Sequence, residues 1–206
     1  MTQTIAMLLL AALVCSVGPQ STAQRTTQKG ESHCELTQDD YAVYVALITG
    51  LGRPEDPEEA WQGKEILIVG LTAAPADTKS HWGGWGFRSN SKAAPSPDTV
   101  VDFERKARGL CILKPQFGDP RSYKVVTQEE LDRIFKGGQW GDFYKKYPQA
   151  GGVWTFSRPG YNPARNEAVL YVGHSCGSLC GTGHLYFLAK RNDQWTVQNR
   201  LMLWIS

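Results

Sequence analysis

The chain has 206 residues, of which 41% are hydrophobic and 20% are charged, a composition typical of a folded globular protein. Its 22 Lys and Arg side chains against 20 Asp and Glu leave a formal net charge of +2, so we expect no nucleic-acid partner. These proportions also exclude a collagen, a coiled coil, a disordered chain and a multi-span membrane protein.

The first 23 residues predict a signal peptide. They contain no charged side chain, and their apolar run, residues 5–14, is shorter than the roughly 20 residues that cross a bilayer. The small residues Ser21-Thr22-Ala23 follow, which is typical of a signal peptidase site. We therefore expect an extracytoplasmic protein, periplasmic or secreted, that has no transmembrane segment after cleavage near Ala23.

The cysteines predict two disulfides in the mature protein. Cleavage of the signal peptide removes Cys15 and leaves four cysteines, an even number that favours full pairing in an oxidising compartment. Four cysteines allow three connectivities. We predict the pairs Cys34–Cys111 and Cys176–Cys180, because the three-residue linker of the second pair can curl enough to close it.

The first two-thirds of the mature chain predict helices and a short strand. Residues 24–35 are polar and are expected to form a loose arm, after which Thr37-Gln38-Asp39-Asp40 resembles a capping box that starts a helix. The apolar run of residues 66–71 indicates a strand that is buried on both faces. Three further helices are predicted over residues 99–108, with Val100, Val101 and Phe103 facing the core, over 127–135, and over 142–147.

From residue 153 onward, the hydrophobic pattern alternates with period two. Four strands are predicted, at Val153–Ser157, Ala168–Gly173, Leu185–Lys190 and Trp195–Ile205. Their short connections imply an antiparallel meander. The expected fold is a single α+β domain over residues 24–206, with N-terminal helices packed on one face of a C-terminal antiparallel sheet of about four strands.

The string Gly173-His174-Ser175-Cys176-Gly177 matches the G-x-S-x-G motif of serine hydrolases. The nucleophile elbow of those enzymes requires a helix behind the serine, and the Gly181-Thr182-Gly183 stretch disfavours one. It also requires an acid and then a histidine downstream, whereas His184 here precedes Asp193. We therefore interpret the match as chance and predict no catalytic residue, although a secreted hydrolase with an unrecognised site remains the alternative.

The same region holds residue types that bind metals. His174, Cys176, Cys180 and His184 could together ligate zinc or copper on a hairpin, or the cysteine pair could act in redox chemistry. In an exported protein the thiols are expected to be oxidised first. We therefore predict a disulfide-braced hairpin without metal or cofactor, and keep the two histidines as weak candidates for a metal-binding hairpin.

An aromatic and glycine-rich stretch at residues 81–87 suggests a loop that binds a ligand. Trp82 and Trp85 could stack on a flat sugar or peptide, with Arg158 nearby, because aromatic faces suit such ligands. With seven tryptophans in the chain, we favour the simpler interpretation that these two cover the core, and keep the ligand loop as a possible site. The partner would be an unknown protein or a small ligand.

Several motifs in residues 98–206 resemble a bacterial extracytoplasmic family of unknown function. These motifs are residues 141–148 (GDFYKKYP), 157–162 (SRPGYN), 168–173 (AVLYVG) and 203–206 (LWIS). The resemblance implies export but no activity and no catalytic residue. Together, these observations predict an exported, disulfide-stabilised protein, a non-catalytic module that binds a partner or is associated with the envelope.

Overall fold

The computed structural model describes residues 34–50, 65–73, 93–118 and 123–206. In chain order the elements are helix α1 (Gln38–Gly50), strand β1 (Glu65–Val69), helix α2 (Pro97–Lys106), strand β2 (Tyr123–Val126), helices α3 (Gln128–Phe135) and α4 (Trp140–Lys146), and strands β3 (Ala150–Phe156), β4 (Gly160–Tyr161), β5 (Glu167–Gly177), β6 (Cys180–Arg191) and β7 (Gln194–Ile205). None of the helices in these segments is long and apolar enough to cross a membrane. The predicted signal peptide, residues 1–23, and most of the arm at 24–35 lie outside the described residues.

The strands of the described segments form one mixed sheet of seven strands, in the order β2–β1–β3–β5–β6–β7, with β4 paired to β5. All pairings among β3 to β7 are antiparallel, as the short connections predict. The α+β class is therefore confirmed. The expectation of a purely antiparallel sheet of about four strands is wrong, because β1 joins the sheet and runs parallel to both β2 and β3.

The reason for this difference lies in the burial of β1. Ile66, Leu67 and Ile68 are all almost fully buried, which is typical of a strand with neighbours on both edges and helices on both faces. Strand β2 has only four residues and leads directly into Thr127, the N-cap of α3, so its hydrophobic pattern is too short to identify it from the sequence.

Helices cover both faces of the sheet rather than one. Successive side chains of a strand point to opposite faces, so the two sets of residues from β1 and β5 separate into two cores. Ile66 and Leu170 pack with α1 on the first face, which we call the α1 face. On the other face Leu67 packs with α3 and α4, and Val169 packs with α2.

Helix α2 packs closely against the sheet, and a side chain of the sheet caps the N-terminus of this helix. Its buried residues are Thr99 and Phe103, whereas Val101, predicted to face the core, is 65% exposed. The Glu167 carboxylate accepts hydrogen bonds from the Ser96 backbone N–H at 2.9 Å and from the Thr99 hydroxyl at 2.8 Å. Partial burial raises the pKa of Glu167, but these hydrogen bonds outweigh it and hold the pKa below its ordinary value.

Glycine is required where α2 meets β4. A Cβ atom on Gly160 would lie 2.1 Å from the backbone nitrogen of Phe103, so only a residue without a side chain lets the helix approach this closely. The adjacent Tyr161 backbone N–H donates to the Asp102 carboxylate of α2 at 2.8 Å. The short strand β4 therefore attaches α2 to the sheet.

Both predicted cysteine pairs lie at disulfide distance, with Cα–Cα separations of 5.0 Å. Cys34 and Cys111 join the segment before α1 to the segment after α2, and Cys111 is buried. The buried Thr72 also contacts this cysteine, because its hydroxyl accepts a hydrogen bond from the Cys111 backbone N–H at 2.8 Å. The pair therefore links parts of the chain that are 77 residues apart.

Candidate functional site

The G-x-S-x-G string lies at the end of β5, next to the hairpin turn into β6. Ser175 is exposed and pairs with Val153, whose side chain belongs to the core beneath α3 and α4. His174 stacks on Trp154 on the α1 face, and His184 pairs with Val172 on that same face. Strand alternation therefore places the Ser175 hydroxyl on the opposite face of the sheet from both histidines.

His174 is held in a packed position. Its ring lies 4.2 Å from the Trp154 ring, centroid to centroid, and its Nε2 is 3.0 Å from the Gly151 carbonyl oxygen. A carbonyl oxygen only accepts, so Nε2 carries the proton. Burial lowers the pKa of His174, although the bond to Gly151 partly opposes this. Gly152, with φ of 121°, leaves space for the ring, because a Cβ there would lie 2.7 Å from Nε2.

The hairpin between β5 and β6 is anchored to α4. The Tyr144 hydroxyl donates to the Cys176 carbonyl oxygen at 2.8 Å, and Cys176 and Cys180 lie at disulfide distance across the turn. Within the described part of the chain, no group of three or more His, Cys, Asp and Glu side chains is arranged to hold a metal ion.

The predicted ligand loop is only partly described. Trp82 and Trp85 lie outside the described residues. Arg158 is half-buried between β3 and β4, and one of its terminal nitrogens would lie 3.2 Å from a Cβ built on Gly109, in the segment after α2. The neighbouring Ser157 carbonyl accepts from the Tyr44 hydroxyl of α1 at 3.0 Å. Arg158 therefore lies beside the segment after α2, next to the end of β3 that Tyr44 of α1 contacts.

A second arrangement of polar residues surrounds the N-terminus of α1, and the sequence did not predict it. Asp39 of α1, Arg165 of the β4–β5 turn and Lys190 near the end of β6 converge beside the β6–β7 turn at Asn192 and Asp193. We call this arrangement the Arg165 cleft. It has a cavity of about 450 Å³, and a second cavity of about 540 Å³ lies on the other side of the Asp39–Arg165 pair, against Thr37 and Gln38.

A buried hydrogen-bond network adjoins the Arg165 cleft. The predicted capping box forms, with the Thr37 N–H donating to the Asp40 carboxylate at 2.7 Å and the Asp40 N–H donating to the Thr37 hydroxyl at 3.3 Å. The Tyr161 hydroxyl donates to the other oxygen of Asp40 at 2.8 Å. Burial and the charge of Asp40 raise the pKa of Tyr161 far above its ordinary value, so the phenol stays protonated.

Three features of the structure orient Arg165 beside this network. It is the last residue of a β-turn that begins at Asn162 and has Pro163 in second place, and its φ of 51° lies in the left-handed region, where glycine is favoured. Its guanidinium carbon lies 4.2 Å from the centroid of the Tyr161 ring. Its Nε donates to the Asp39 carboxylate at 2.9 Å. The backbone turn, the Tyr161 ring and Asp39 together therefore orient the guanidinium.

Lys190 is held less tightly. Its ammonium nitrogen is 3.9 Å from one oxygen of Asp39 and 3.9 Å from one of Asp193, both beyond hydrogen-bond distance. The same nitrogen lies 5.8 Å from the centroid of the Trp195 ring. The Trp195 indole N–H is buried and has no hydrogen-bond partner among the described residues. The cleft thus combines a guanidinium oriented by Asp39 and Tyr161 with an ammonium group that has no hydrogen-bond partner within the described segments.

Comparison of the chain with known protein families, with characterised proteins and with solved structures finds no match. The class of protein is therefore defined here by its own architecture, an α+β domain built on a mixed sheet.

Proposed function

We propose that the chain is an exported, disulfide-stabilised, non-catalytic binding module that takes a small polar ligand in the Arg165 cleft. Export is supported by the signal-like residues 1–23 and by the two cysteine pairs at disulfide distance, which suit an oxidising compartment. The resemblance of residues 98–206 to a bacterial extracytoplasmic family points the same way.

The observation that carries this proposal is the pair of cations with unused donors. Among the described residues, neither the Lys190 ammonium nor the two terminal nitrogens of Arg165 have a hydrogen-bond partner, and both residues line the same cavity. An arginine whose backbone lies in the left-handed region costs conformational free energy of order 1 kcal/mol or more, and such strain is concentrated at binding and catalytic sites. A polar ligand would satisfy these donors without rearrangement of the site.

A non-catalytic role is supported by the hairpin that carries the serine motif. The hydroxyl of Ser175 and the rings of His174 and His184 lie on opposite faces of the sheet, so neither of these two histidines is oriented toward the serine. A binding role needs no such pairing.

The test is a thermal-shift screen of the mature protein against small polar metabolites, repeated with two variants. We expect at least one compound to raise the melting temperature of the wild type and to lose its effect in Arg165→Ala. The matched control is Arg133→Ala, an exposed arginine of α3 that lies outside the cleft and should keep the shift. Binding that is equal in all three proteins, or no binding at all, would contradict the proposal.

Export is tested separately by cell fractionation and N-terminal sequencing. We expect the mature protein to begin near Gln24 and to be recovered outside the cytoplasm. Exported material that begins at Met1 would refute the predicted cleavage.

A further inference from the structure

The geometry of Arg165 determines which ligand group fits its free edge. Its Nε is occupied by Asp39, which leaves the two terminal nitrogens as a planar pair of donors with no partner among the described residues. Stacking on Tyr161 at 4.2 Å holds that plane in place. Two parallel N–H donors at one end of a guanidinium match the two oxygens of a carboxylate or of a phosphate.

The charge of the site distinguishes between these two anions. Arg165 and Lys190 both face Asp39, at 2.9 and 3.9 Å, and the charge of the buried Asp40 also acts on Arg165, so the two cations are balanced by two carboxylates. Asp193 adds a negative charge, but its side chain is fully exposed and its 3.9 Å contact with Lys190 is screened by water. A monoanion adds a single negative charge to this balanced group, whereas a phosphate dianion would add two beside the carboxylates.

The rest of the cavity suits a polar group attached to that anion. Asn166 and Asn192 line the cavity beside Lys190. The oxygen of the Asn166 amide accepts from Asn162 at 2.6 Å, which leaves its NH₂ group facing no described partner. A volume of about 450 Å³ lies within the range of small-molecule sites.

We propose that the Arg165 cleft recognises the carboxylate of a small organic acid or peptide end, with Arg165 as a bidentate donor and Lys190 as a supporting charge. This inference rests on the proposed binding function and narrows its ligand to one chemical class. The amides of Asn166 and Asn192 bind the polar group next to the carboxylate.

The experiment titrates the mature protein with N-acetylglycine, with its methyl ester and with inorganic phosphate. Binding is followed by NMR through the Nε–Hε resonance of Arg165, and by tryptophan fluorescence. For a ligand of this size we expect a dissociation constant of about 1–10 mM for N-acetylglycine. The ester, which lacks the charge but keeps the amide, should bind at least about tenfold more weakly, and so should phosphate.

Three variants test the assigned roles. Arg165→Lys keeps the charge but removes the planar pair of donors, so it should weaken N-acetylglycine binding about tenfold or more. Lys190→Gln should weaken binding by roughly threefold to fivefold, since it removes a single supporting charge. Lys145→Gln, an exposed lysine of α4 that is paired with Asp142, is the matched control and should change nothing.

The outcomes separate this inference from the function on which it rests. Equal binding of the ester, preferential binding of phosphate, or full retention in Arg165→Lys would overturn carboxylate recognition. If N-acetylglycine fails while another compound binds in an Arg165-dependent manner, the carboxylate assignment is wrong and the binding function stands. If no compound depends on Arg165, both are wrong.

Discussion

Replacement of Gly160 by alanine tests the packing that positions the Arg165 cleft. A methyl group on Gly160 would lie 2.1 Å from the Phe103 backbone nitrogen and 2.2 Å from its Cα, whereas ordinary contacts begin near 3.4 Å. Helix α2 must therefore move by about 1.3 Å, since backbone atoms cannot rotate away. The movement would also pull Asp102 from the N–H of Tyr161, the residue on which Arg165 stacks.

The expected destabilisation is at the upper end of what overpacking causes. Phe103 is fully buried against Val169 and Leu185, so a shift of α2 disrupts a closed core as well as the contact itself. We expect a loss of about 3 kcal/mol, or a fall of about 1.5 M in the urea midpoint for an m-value of about 2 kcal/mol per molar.

The assay is urea unfolding of the oxidised protein, followed by tryptophan fluorescence. The matched control is Gly137→Ala, at the end of α3, where a Cβ meets no atom within 4 Å. That variant should stay within about 0.5 kcal/mol of the wild type. If the two variants are equally stable, β4 and α2 do not pack as described, and the argument for the close approach fails.

Three further predictions concern α2, the serine motif and the long-range disulfide. Glu167→Gln should lower the free energy of unfolding by about 1 kcal/mol at pH 7. Because the pKa of Glu167 is lowered in the folded protein, this difference is fully present above about pH 4.5 and should disappear as the pH falls through the folded pKa. An equal difference between wild type and variant in urea unfolding at pH 7 and at pH 3 would contradict this prediction. Ser175→Ala should change stability by less than about 1 kcal/mol, and fluorophosphonate probes should not label the wild type, so labelling that vanishes in the variant would restore the hydrolase interpretation. Cys34→Ser combined with Cys111→Ser should cost roughly 4 kcal/mol, since the pair closes a long loop; rapid alkylation of both thiols in the native wild type would refute the pairing.

Local chemistry in the sequence was sufficient to locate most helix starts and the C-terminal strands. The hydroxyls of Thr37 and Thr127 both accept from the backbone N–H three residues further on, because these two groups are brought together by the start of a helix itself. Period-two alternation identified β3, β5, β6 and β7, although each begins earlier or extends further than its apolar residues alone indicate. Short connections then determined their antiparallel order.

The inward face of α2 was less predictable from sequence. The pattern placed Val100, Val101 and Phe103 toward the core. Phe103 is buried as predicted, but Val101 is exposed, and Thr99, which was not predicted, is buried. Thr99 is buried because Glu167, 68 residues away, accepts a hydrogen bond from its hydroxyl. A partner this distant in sequence leaves no trace in the local hydrophobic pattern.

Local sequence signals were therefore enough to predict the α+β class and the antiparallel strands of the C-terminal half, and they favoured the two cysteine pairs that lie at disulfide distance. Only the folded structure shows that β1 and β2 join the sheet as parallel strands, since this pairing depends on which strand edges meet when the chain folds. The Arg165 cleft is likewise visible only in the folded structure, where Arg165 contacts Asp39 across 126 residues of sequence and Lys190 approaches from a third element. Read alone, Asp39 is a helix-start residue, Arg165 a turn residue and Lys190 a strand residue, and only folding brings their charges together at one cavity.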